Sequence, residues 1–190
     1  MCRPLFNHRV LDLNQRYPTR RPMRLRDYDY RRSGVYFVTI CTYQHVSLFG
    51  NIFDGDLVLN ELGEIVNSEW LHVAQARTNV LLDNYVIMPN HLHGIVIIDN
   101  ENDRVDCTRD LAANGKRAST LQPGSLGAIV GHFKAAVSRR AKPMGLDGGR
   151  KIWQRNYYEH IIRNEKSLKE IRKYILENPA RWSEDDLYDG

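Results

Sequence analysis

The sequence predicts a single α+β domain, and two features of its pattern support that prediction. Runs rich in β-branched and aromatic residues alternate with segments whose apolar residues recur at helical spacing, which favours a sheet covered by helices. The chain has 190 residues, of which 42% are hydrophobic, and this size suits one compact core with appendages better than two full domains.

The first predicted elements are a strand and a helix. Residues 35–43 are mostly β-branched or aromatic, which is typical of a strand. A helix is expected to begin near Asn60, because apolar residues then recur near one helical face: Leu62, Ile65, Val66, Leu71 and Val73.

A hairpin and a long loop are predicted next. The apolar runs 81–88 and 94–98 flank Pro89-Asn90, a turn signal, so the two runs are expected to form antiparallel neighbours. Residues 99–124 are polar, carry mixed charge and lack periodicity, which indicates a loop insertion.

The last third of the chain predicts a helix, a strand and a second helix. Ser125 has the character of an N-cap and precedes apolar residues at helical spacing. Residues 152–158 are expected to form a short strand. Asn164 is expected to cap the last helix, which Pro179 ends.

The predicted order is therefore that of the split βαβ arrangement of ferredoxin-like folds, an antiparallel sheet with helices on one face, plus an additional C-terminal helix. Its first and third strands are central. We assign residues 23–182 to this domain and 183–190 to an acidic tail that frays. Residues 1–22 are either a flexible basic arm or the result of a start codon assigned too early, in which case Met23 is the first residue.

The charge distribution predicts a polyanionic partner. The formal net charge is +4, but residues 1–32 hold nine arginines against three aspartates, and residues 132–173 hold twelve Lys/Arg against four Asp/Glu. Such basic blocks favour nucleic acid as a partner, although a solvated basic surface without a partner has the same composition.

The cysteines and the apolar runs exclude several classes of protein. Three widely spaced cysteines without a Cys-x-x-Cys pair argue against a disulfide framework or a cysteine-rich zinc site. No apolar run approaches the roughly 20 residues that span a bilayer, and the N-terminus lacks a signal-peptide core. We therefore expect a cytoplasmic protein without a membrane partner.

His91-Leu92-His93 is the most informative stretch of the chain. Alternate residues of a strand project to the same face, so both imidazoles are expected to point one way, mid-sheet, as half of a metal site. A His-x-His pair on a strand also occurs as ordinary core or surface histidines, so the motif alone leaves both readings open.

Tyr174 and Asn178 on the last predicted helix are candidates for the rest of that site. They are four residues apart, hence about 40° apart around the helix and one turn along it. A tyrosine can be a covalent nucleophile and an amide oxygen can ligate a metal. A packed tyrosine and a helix-ending asparagine before proline fit the same pattern.

Three blocks of the sequence carry a resemblance to a known family: residues 86–95 (VIMPNHLHGI), 152–163 (IWQRNYYEHIIR) and 174–179 (YILENP). In this order they resemble the REP-associated tyrosine transposases, which belong to the single-tyrosine HUH transposases, named for histidine, hydrophobic residue, histidine. Residues 27–42 also resemble the first strand of that family. The likeness extends over about residues 23–182 and leaves the 99–124 insertion outside the compact family core.

The resemblance implies a role for each matching residue. His91 and His93 take the positions of metal ligands, and Tyr174 that of the nucleophile. Asn178 takes the place of the polar residue that helps to complete the site. His160 is either a further ligand or a group that orients one. Two rival nucleophiles rank below Tyr174 because they lie in the predicted edge strand: Tyr157 and Tyr158.

The resemblance also implies an activity. The family cleaves single-stranded DNA, often beside a palindromic hairpin, through a 5′-phosphotyrosine intermediate with a divalent ion, Mg²⁺ or Mn²⁺. No nucleotide cofactor is needed, and the protein is a monomer or a homodimer. The candidates for contact with DNA phosphates are basic residues of the predicted helix and the segment after it: Lys134, Arg139, Arg140, Lys142 and Arg155.

Two other functions fit parts of the pattern. An RRM-like nucleic-acid-binding module without chemistry has the same strand and helix order, but it reads bases with aromatic residues on its central strands. Here the third strand offers His91, His93 and Ile95 instead. A metal-dependent hydrolase that uses water as the nucleophile is the second alternative, and in it Tyr174 is incidental.

Overall fold

A computed structural model describes residues 31–100, 124–145, 151–185, 187 and 188. The predictions for the basic arm at residues 1–22, for a start at Met23 and for residues 101–123 of the insertion lie outside the described residues. No helix in the described part of the chain is long and apolar enough to cross a membrane.

The described residues form six strands and three α-helices. In chain order they are β1 Gly34–Cys41, β2 Gly50–Phe53, β3 Asp56–Leu59, α1 Glu61–Gln75, β4 Val80–Met88, β5 His91–Ile98, α2 Leu126–Arg140, β6 Tyr158–Ile162 and α3 Glu165–Glu177. A short 3-10 segment, Pro179–Glu184, follows α3.

Four strands form an antiparallel sheet in the order β4-β5-β1-β6, so β5 and β1 are central, as predicted. The α+β, ferredoxin-like fold class is confirmed. Cross-strand pairing places Cys41 opposite His91 and Thr39 opposite His93. Directly paired residues share a face of the sheet, so these four side chains lie on the same side.

The two faces of the sheet carry different helices. One face packs against α1 and α2 and forms the larger core, with Tyr36, Trp70 and Phe133 among its fully buried members. The other face packs against α3 through a smaller buried cluster: Phe37, Ile95, Ile162, Ile171 and Ile175. Because side chains alternate along β5, His91 and His93 belong to the face covered by α3.

Side-chain caps begin all three α-helices. In each, the oxygen of the N-cap side chain accepts a hydrogen bond from a backbone N–H three residues further on, which satisfies a donor that the helix itself leaves unpaired. The caps are Asn60, near which the sequence predicts a helix start, and Ser125 and Asn164, which the sequence predicts as caps.

Two strand assignments differ from the sequence-based expectation. The strand expected at residues 152–158 lies at Tyr158–Ile162, while Trp153 forms only an isolated bridge with Thr42 and packs against α2. Apolar residues packed in a loop give the same local signal as a buried strand. The hairpin β2–β3 was not predicted, although Asp54-Gly55 at its tip is a strong turn signal.

In α1, the expected core residue Leu71 is 42% exposed, and its neighbour Trp70 is fully buried instead. The Trp70 indole packs against the backbone of Gly94 in β5. A Cβ added at Gly94 lies 2.5 Å from Cζ2 of Trp70. The absence of a side chain at Gly94, immediately after His93, therefore makes room for this indole.

Gly94→Ala is expected to lower the free energy of unfolding by about 1–3 kcal/mol, because the enclosed indole cannot move aside without straining the core. Chemical denaturation of the two proteins measures the change. Trp70→Phe in the same chain relieves the overlap. The free energy of unfolding of the double variant Gly94→Ala, Trp70→Phe should therefore fall by less than the sum of the two single decreases. Additive losses would show that the contact is not the cause.

Candidate active site

The β4–β5 hairpin presents the two histidines. Pro89 and Asn90 form its two-residue turn, and β5 begins at His91. The imidazole centroids of His91 and His93 are 4.3 Å apart, and the two residues are 0% and 3% exposed. The two rings lie side by side on one face of the sheet, as expected, and the structure adds that both are buried from water.

Asn90 determines which nitrogen of His91 is available. The Asn90 amide donates to the backbone carbonyls of His45 and Leu187, so its Oδ1 is left to accept a hydrogen bond from His91 Nδ1 at 2.8 Å. That arrangement protonates Nδ1 and leaves a lone pair on Nε2. His91 Nε2 is buried and has no hydrogen-bond partner among the described residues.

Thr39 contacts His93 in a comparable way. Its hydroxyl lies 2.8 Å from His93 Nδ1, and the Phe37 ring stacks on the imidazole with centroids 5.3 Å apart. When Nδ1 carries the proton and donates to Thr39, His93 Nε2 presents its lone pair to the same space as His91 Nε2.

A carboxylate from the C-terminal segment completes the cluster. One ligand atom from each of His91, His93 and Asp185 lies within 4.8 Å of the other two. Asp185 Oδ2 accepts from Asn178 Nδ2 at 2.9 Å, and Oδ1 accepts from the Leu187 backbone N–H at 2.8 Å. Two imidazoles, one of which has an unpartnered buried Nε2, and a carboxylate form a three-residue donor set that fits a divalent cation.

Tyr174 lies beside this cluster. Its hydroxyl is 3.1 Å from His93 Nε2, and its ring centroid is 5.2 Å from that of His93 and 6.2 Å from that of Phe37. The residue is 38% exposed. The structure therefore brings the phenol of α3 to the histidine pair of β5, with one side of the tyrosine still open to solvent.

Asn178 was expected to reach the site, and the structure places it there as the C-cap of α3. Its amide nitrogen holds Asp185, and its Oδ1 is buried without a hydrogen-bond partner among the described residues. Asn178 is thus both a fixed neighbour of the carboxylate and a candidate oxygen donor.

His160 is not brought into the cluster. It pairs with Phe37 in the β1–β6 register, so it shares the sheet face of His93, but β1 lies between the two histidines. The residue is exposed. Tyr158 begins the edge strand and is 46% exposed, opposite Thr39.

Cys41 is the direct neighbour of His91 across the sheet, but it does not belong to the donor set. Burial raises the pKa of the Cys41 thiol to about 11, an effect that Lys134 opposes. The ligand atoms that lie within 4.8 Å of one another come from His91, His93 and Asp185, and the Cys41 sulfur is not among them.

The candidate DNA-contacting cations lie on α2 and in the segments that follow it. Lys134 Nζ donates to the backbone carbonyls of Gln154 and Asn156, both at 2.9 Å, and burial lowers its pKa to about 8. Arg140 forms an ion pair with Glu69 at 2.8 Å. Arg140 is exposed despite this ion pair, as are the remaining three: Arg139, Lys142 and Arg155. Helix α2 covers the sheet face opposite to His91 and His93.

Sequence reasoning missed Asp185 and Trp182. The acidic character of residues 183–190 indicated only a fraying tail, whereas Asp185 lies in the cluster and the Trp182 ring lies 5.9 Å from that of His91. No local signal separates Asp185 from its acidic neighbours. Beside Trp182 a groove of about 460 Å³ opens, lined by Ser47, Asn51, Ile52, Phe53, Pro89, Trp182 and Tyr188.

The imidazoles of His91 and His93 are neutral at neutral pH, and the neutral imidazole is the form that binds metal. Burial, and after it the neighbouring His45, lower the pKa of His91 to about 3. Burial and the charge of His91 also lower the pKa of His93 well below its usual value, and Asp185 opposes this shift.

These shifts predict how the metal-free protein responds to acid. Unfolded His91 binds a proton near its ordinary pKa of 6.5, whereas the folded residue binds it only near 3. The unfolded state therefore holds more protons between these values, and stability falls as the pH is lowered through this window. Denaturant unfolding with a chelator present should give a weaker pH dependence for His91→Gln than for the unchanged protein. If the free energy of unfolding changed equally with pH in both proteins, His91 would not be the source of the acid sensitivity.

No family model matches the chain. An uncharacterised protein of Haemophilus influenzae is 42% identical over 173 residues, which cover 89% of this chain and 93% of that protein. The chain belongs to the family of this H. influenzae protein.

A solved structure of a REP-associated tyrosine transposase, bound to a REP hairpin, is also similar. The TM-score is 0.53 and the identity 19%, over 84% of this chain and 73% of that chain. The likeness shows that this chain has the fold of that transposase. The resemblance found in the sequence is thus confirmed at the level of the fold.

Proposed function

We propose that the chain is a metal-dependent transposase that cleaves and rejoins single-stranded DNA through a covalent 5′-phosphotyrosine at Tyr174. The observation that supports this most directly is the 3.1 Å contact between the Tyr174 hydroxyl and His93 Nε2. A nucleophile must lie beside the group that binds the reacting phosphate, and here it lies beside a candidate metal ligand.

His91 Nε2, His93 Nε2 and the Asp185 carboxylate would hold the ion, which we take to be Mg²⁺ or Mn²⁺. When bound, such an ion supplies Lewis acidity to a phosphate oxygen. Asn178 has the place of the polar residue implied by the family resemblance. Its contact with Asp185 gives it a positioning role, while its unpartnered Oδ1 keeps it a candidate ligand.

The covalent step exchanges one phosphate ester bond for another. The Tyr174 oxygen forms a bond to phosphorus, the bond from phosphorus to the 3′ oxygen breaks, and that oxygen takes up a proton from solvent and leaves as a 3′-OH. The proton that the phenol releases to solvent balances this uptake, and the phenol's ordinary pKa of about 10 means that it is protonated before the step at neutral pH. Rejoining is the same exchange in reverse, so no nucleotide cofactor is required.

The substrate we propose is single-stranded DNA that forms a hairpin, by analogy with the REP hairpin bound in the similar structure. Arg139, Lys142 and Arg155 are the strongest candidates for phosphate contacts, since they are exposed, whereas Lys134 and Arg140 bind protein groups. One chain supplies the tyrosine and both histidines, so a monomer suffices for cleavage. We place this activity in the cytoplasm.

Neither alternative function accounts for the site as well. An RRM-like module has exposed aromatic residues on its central strands for base stacking, whereas the corresponding positions hold buried His91 and His93. A hydrolase that uses water does not require Tyr174 at this place, 3.1 Å from a ligand atom.

The test is incubation with a labelled single-stranded hairpin and Mn²⁺ or Mg²⁺, followed by denaturing electrophoresis. Hairpins from palindromic repeats beside the gene are the substrates to use. We expect a protein–DNA adduct, lost with chelator, whose modified peptide contains Tyr174. Cleavage without an adduct would indicate the hydrolase, and binding without cleavage the non-catalytic module.

A further inference from the structure

Helix α3 is tied to the sheet by an ion pair whose two residues are not members of the His91–His93–Asp185 cluster, called the metal-binding cluster below. Arg172 donates from Nε and Nη2 to the same oxygen of Asp83 in β4, at 2.9 and 2.6 Å. The Asp83 side chain is 15% exposed and that of Arg172 39%. Charge-assisted bonds from two nitrogens of a planar guanidinium fix its direction as well as its distance.

A β-bulge positions the carboxylate of this pair. The β4–β5 register shifts between Leu82 and Tyr85, so β4 carries one extra residue there. A bulge redirects a side chain away from regular alternation. The other oxygen of Asp83 accepts the backbone N–H of Asn84 at 2.7 Å. Both oxygens are thus engaged, and the carboxylate is held toward α3.

The ion pair and the nucleophile lie on opposite flanks of the buried side of α3. At about 100° per residue, Arg172 is about 100° to one side of Ile171 and Tyr174 about 60° to the other. Ile171 is buried against the sheet. Arg172 reaches β4, while Tyr174 reaches His93 of β5. A rotation of α3 about its own axis therefore moves both side chains together.

The other ion pairs of α3 among the described residues do not connect it to the sheet. Lys169 pairs with Glu165 at 3.8 Å and Lys173 with Glu177 at 3.6 Å, both within the helix and largely exposed. Apart from the Arg172 ion pair and the contacts of Tyr174 itself with His93 and Phe37, the described contacts of α3 with the sheet form a small apolar cluster, and apolar contacts lack direction.

We propose that Arg172 and Asp83 are positioning residues that set the rotation of α3 and so hold the Tyr174 hydroxyl at the metal-binding cluster. This proposal rests on the proposed function for its catalytic consequence. On this proposal the residues that matter for the reaction include Asp83 in the β4 bulge, which is not itself a member of the metal-binding cluster.

The kinetic test compares Asp83→Asn and Arg172→Gln with Lys169→Gln, which removes one positive charge from the same helix. Single-turnover adduct formation is measured at saturating hairpin DNA with Mn²⁺, together with the Kd for DNA and the Tm. The first two variants should slow the step about 10- to 100-fold, with the Kd for DNA little changed, because the nucleophile is misplaced while the binding surface is intact. Lys169→Gln should match the unchanged protein.

A second measurement is independent of activity. A fluorotyrosine at position 174 of the metal-free protein reports its surroundings by fluorine NMR. We expect Asp83→Asn to shift or broaden this resonance and Lys169→Gln to leave it in place. If the unchanged protein forms no adduct, the proposed function fails, while the resonance still decides the positioning role.

The charge-reversed double variant Asp83→Arg, Arg172→Asp should recover part of the rate and of the resonance position. Arg172→Lys, which keeps the charge but loses the two-nitrogen contact, should fall between Arg172→Gln and the unchanged protein. An unaltered resonance and rate in Asp83→Asn, or a lowered Tm with an unaltered rate, would overturn the proposal and leave the pair a merely structural contact.

Discussion

Replacing Tyr174 by phenylalanine is expected to abolish the covalent protein–DNA adduct. The substitution removes one oxygen, the atom that bonds to phosphorus, and keeps the ring that packs edge-on against Phe37. No other atom of the residue can form the intermediate, so the expected loss is complete rather than partial. Denaturing electrophoresis of the labelled hairpin with Mn²⁺ measures it.

Tyr158→Phe is the matched control. Tyr158 is also a partly exposed tyrosine, on the same sheet face, and it was a rival nucleophile in the sequence. This variant should form the adduct at the rate of the unchanged protein. An adduct that persists in Tyr174→Phe and disappears in Tyr158→Phe would move the nucleophile to the edge strand. The Tyr174→Phe protein should keep its Tm and its affinity for the hairpin.

Replacing His91 by alanine is expected to remove most of the divalent-ion binding. Metal binding to the folded state alone raises stability by about 2.7 kcal/mol when the ion is present at a hundred times its Kd. The rise in Tm with added Mn²⁺ should therefore be large for the unchanged protein and nearly absent in His91→Ala. The adduct should diminish in parallel, because the phosphate loses its Lewis acid.

The rise in Tm with added Mn²⁺ also distinguishes among the candidates for a third ligand: Asp185, Asn178 and His160. His160→Ala should respond to Mn²⁺ like the unchanged protein, because His160 is exposed and separated from His93 by β1. Asp185→Asn should lose much of the response, since it removes the only carboxylate found with the histidine pair among the described residues. A retained response in Asp185→Asn and a lost one in Asn178→Ala would assign the third ligand to Asn178.

The fold could be predicted to a large extent because its signals are local. The apolar run of β5, the turn at Pro89-Asn90 and the N-caps Ser125 and Asn164 each depend on residues within one turn or one strand. The errors arose where two structures share a local signal. Trp153 is apolar and buried like a strand residue, but it satisfies its indole N–H with the Lys134 carbonyl of α2.

The candidate site was predictable in part for the same reason. His91 and His93 follow from strand alternation, and Tyr174 and Asn178 from helical spacing. Asp185 and the contact between Arg172 and Asp83 could not be found in this way. Each depends on where a segment folds back in space, and no pattern relates Asp83 to Arg172 across their sequence separation of 89 residues.

By itself, then, the sequence determined the class of fold and the order of its elements. It also determined which rings and hydroxyls face the same way within one element, because the repeating geometry of a strand or helix relates the spacing of two residues to the directions of their side chains. Only the tertiary structure decided which of those groups meet. The carboxylate that joins His91 and His93, the exclusion of His160 and the rotation of the helix that carries Tyr174 result from packing between distant segments, which depends on shape and burial rather than on local periodicity.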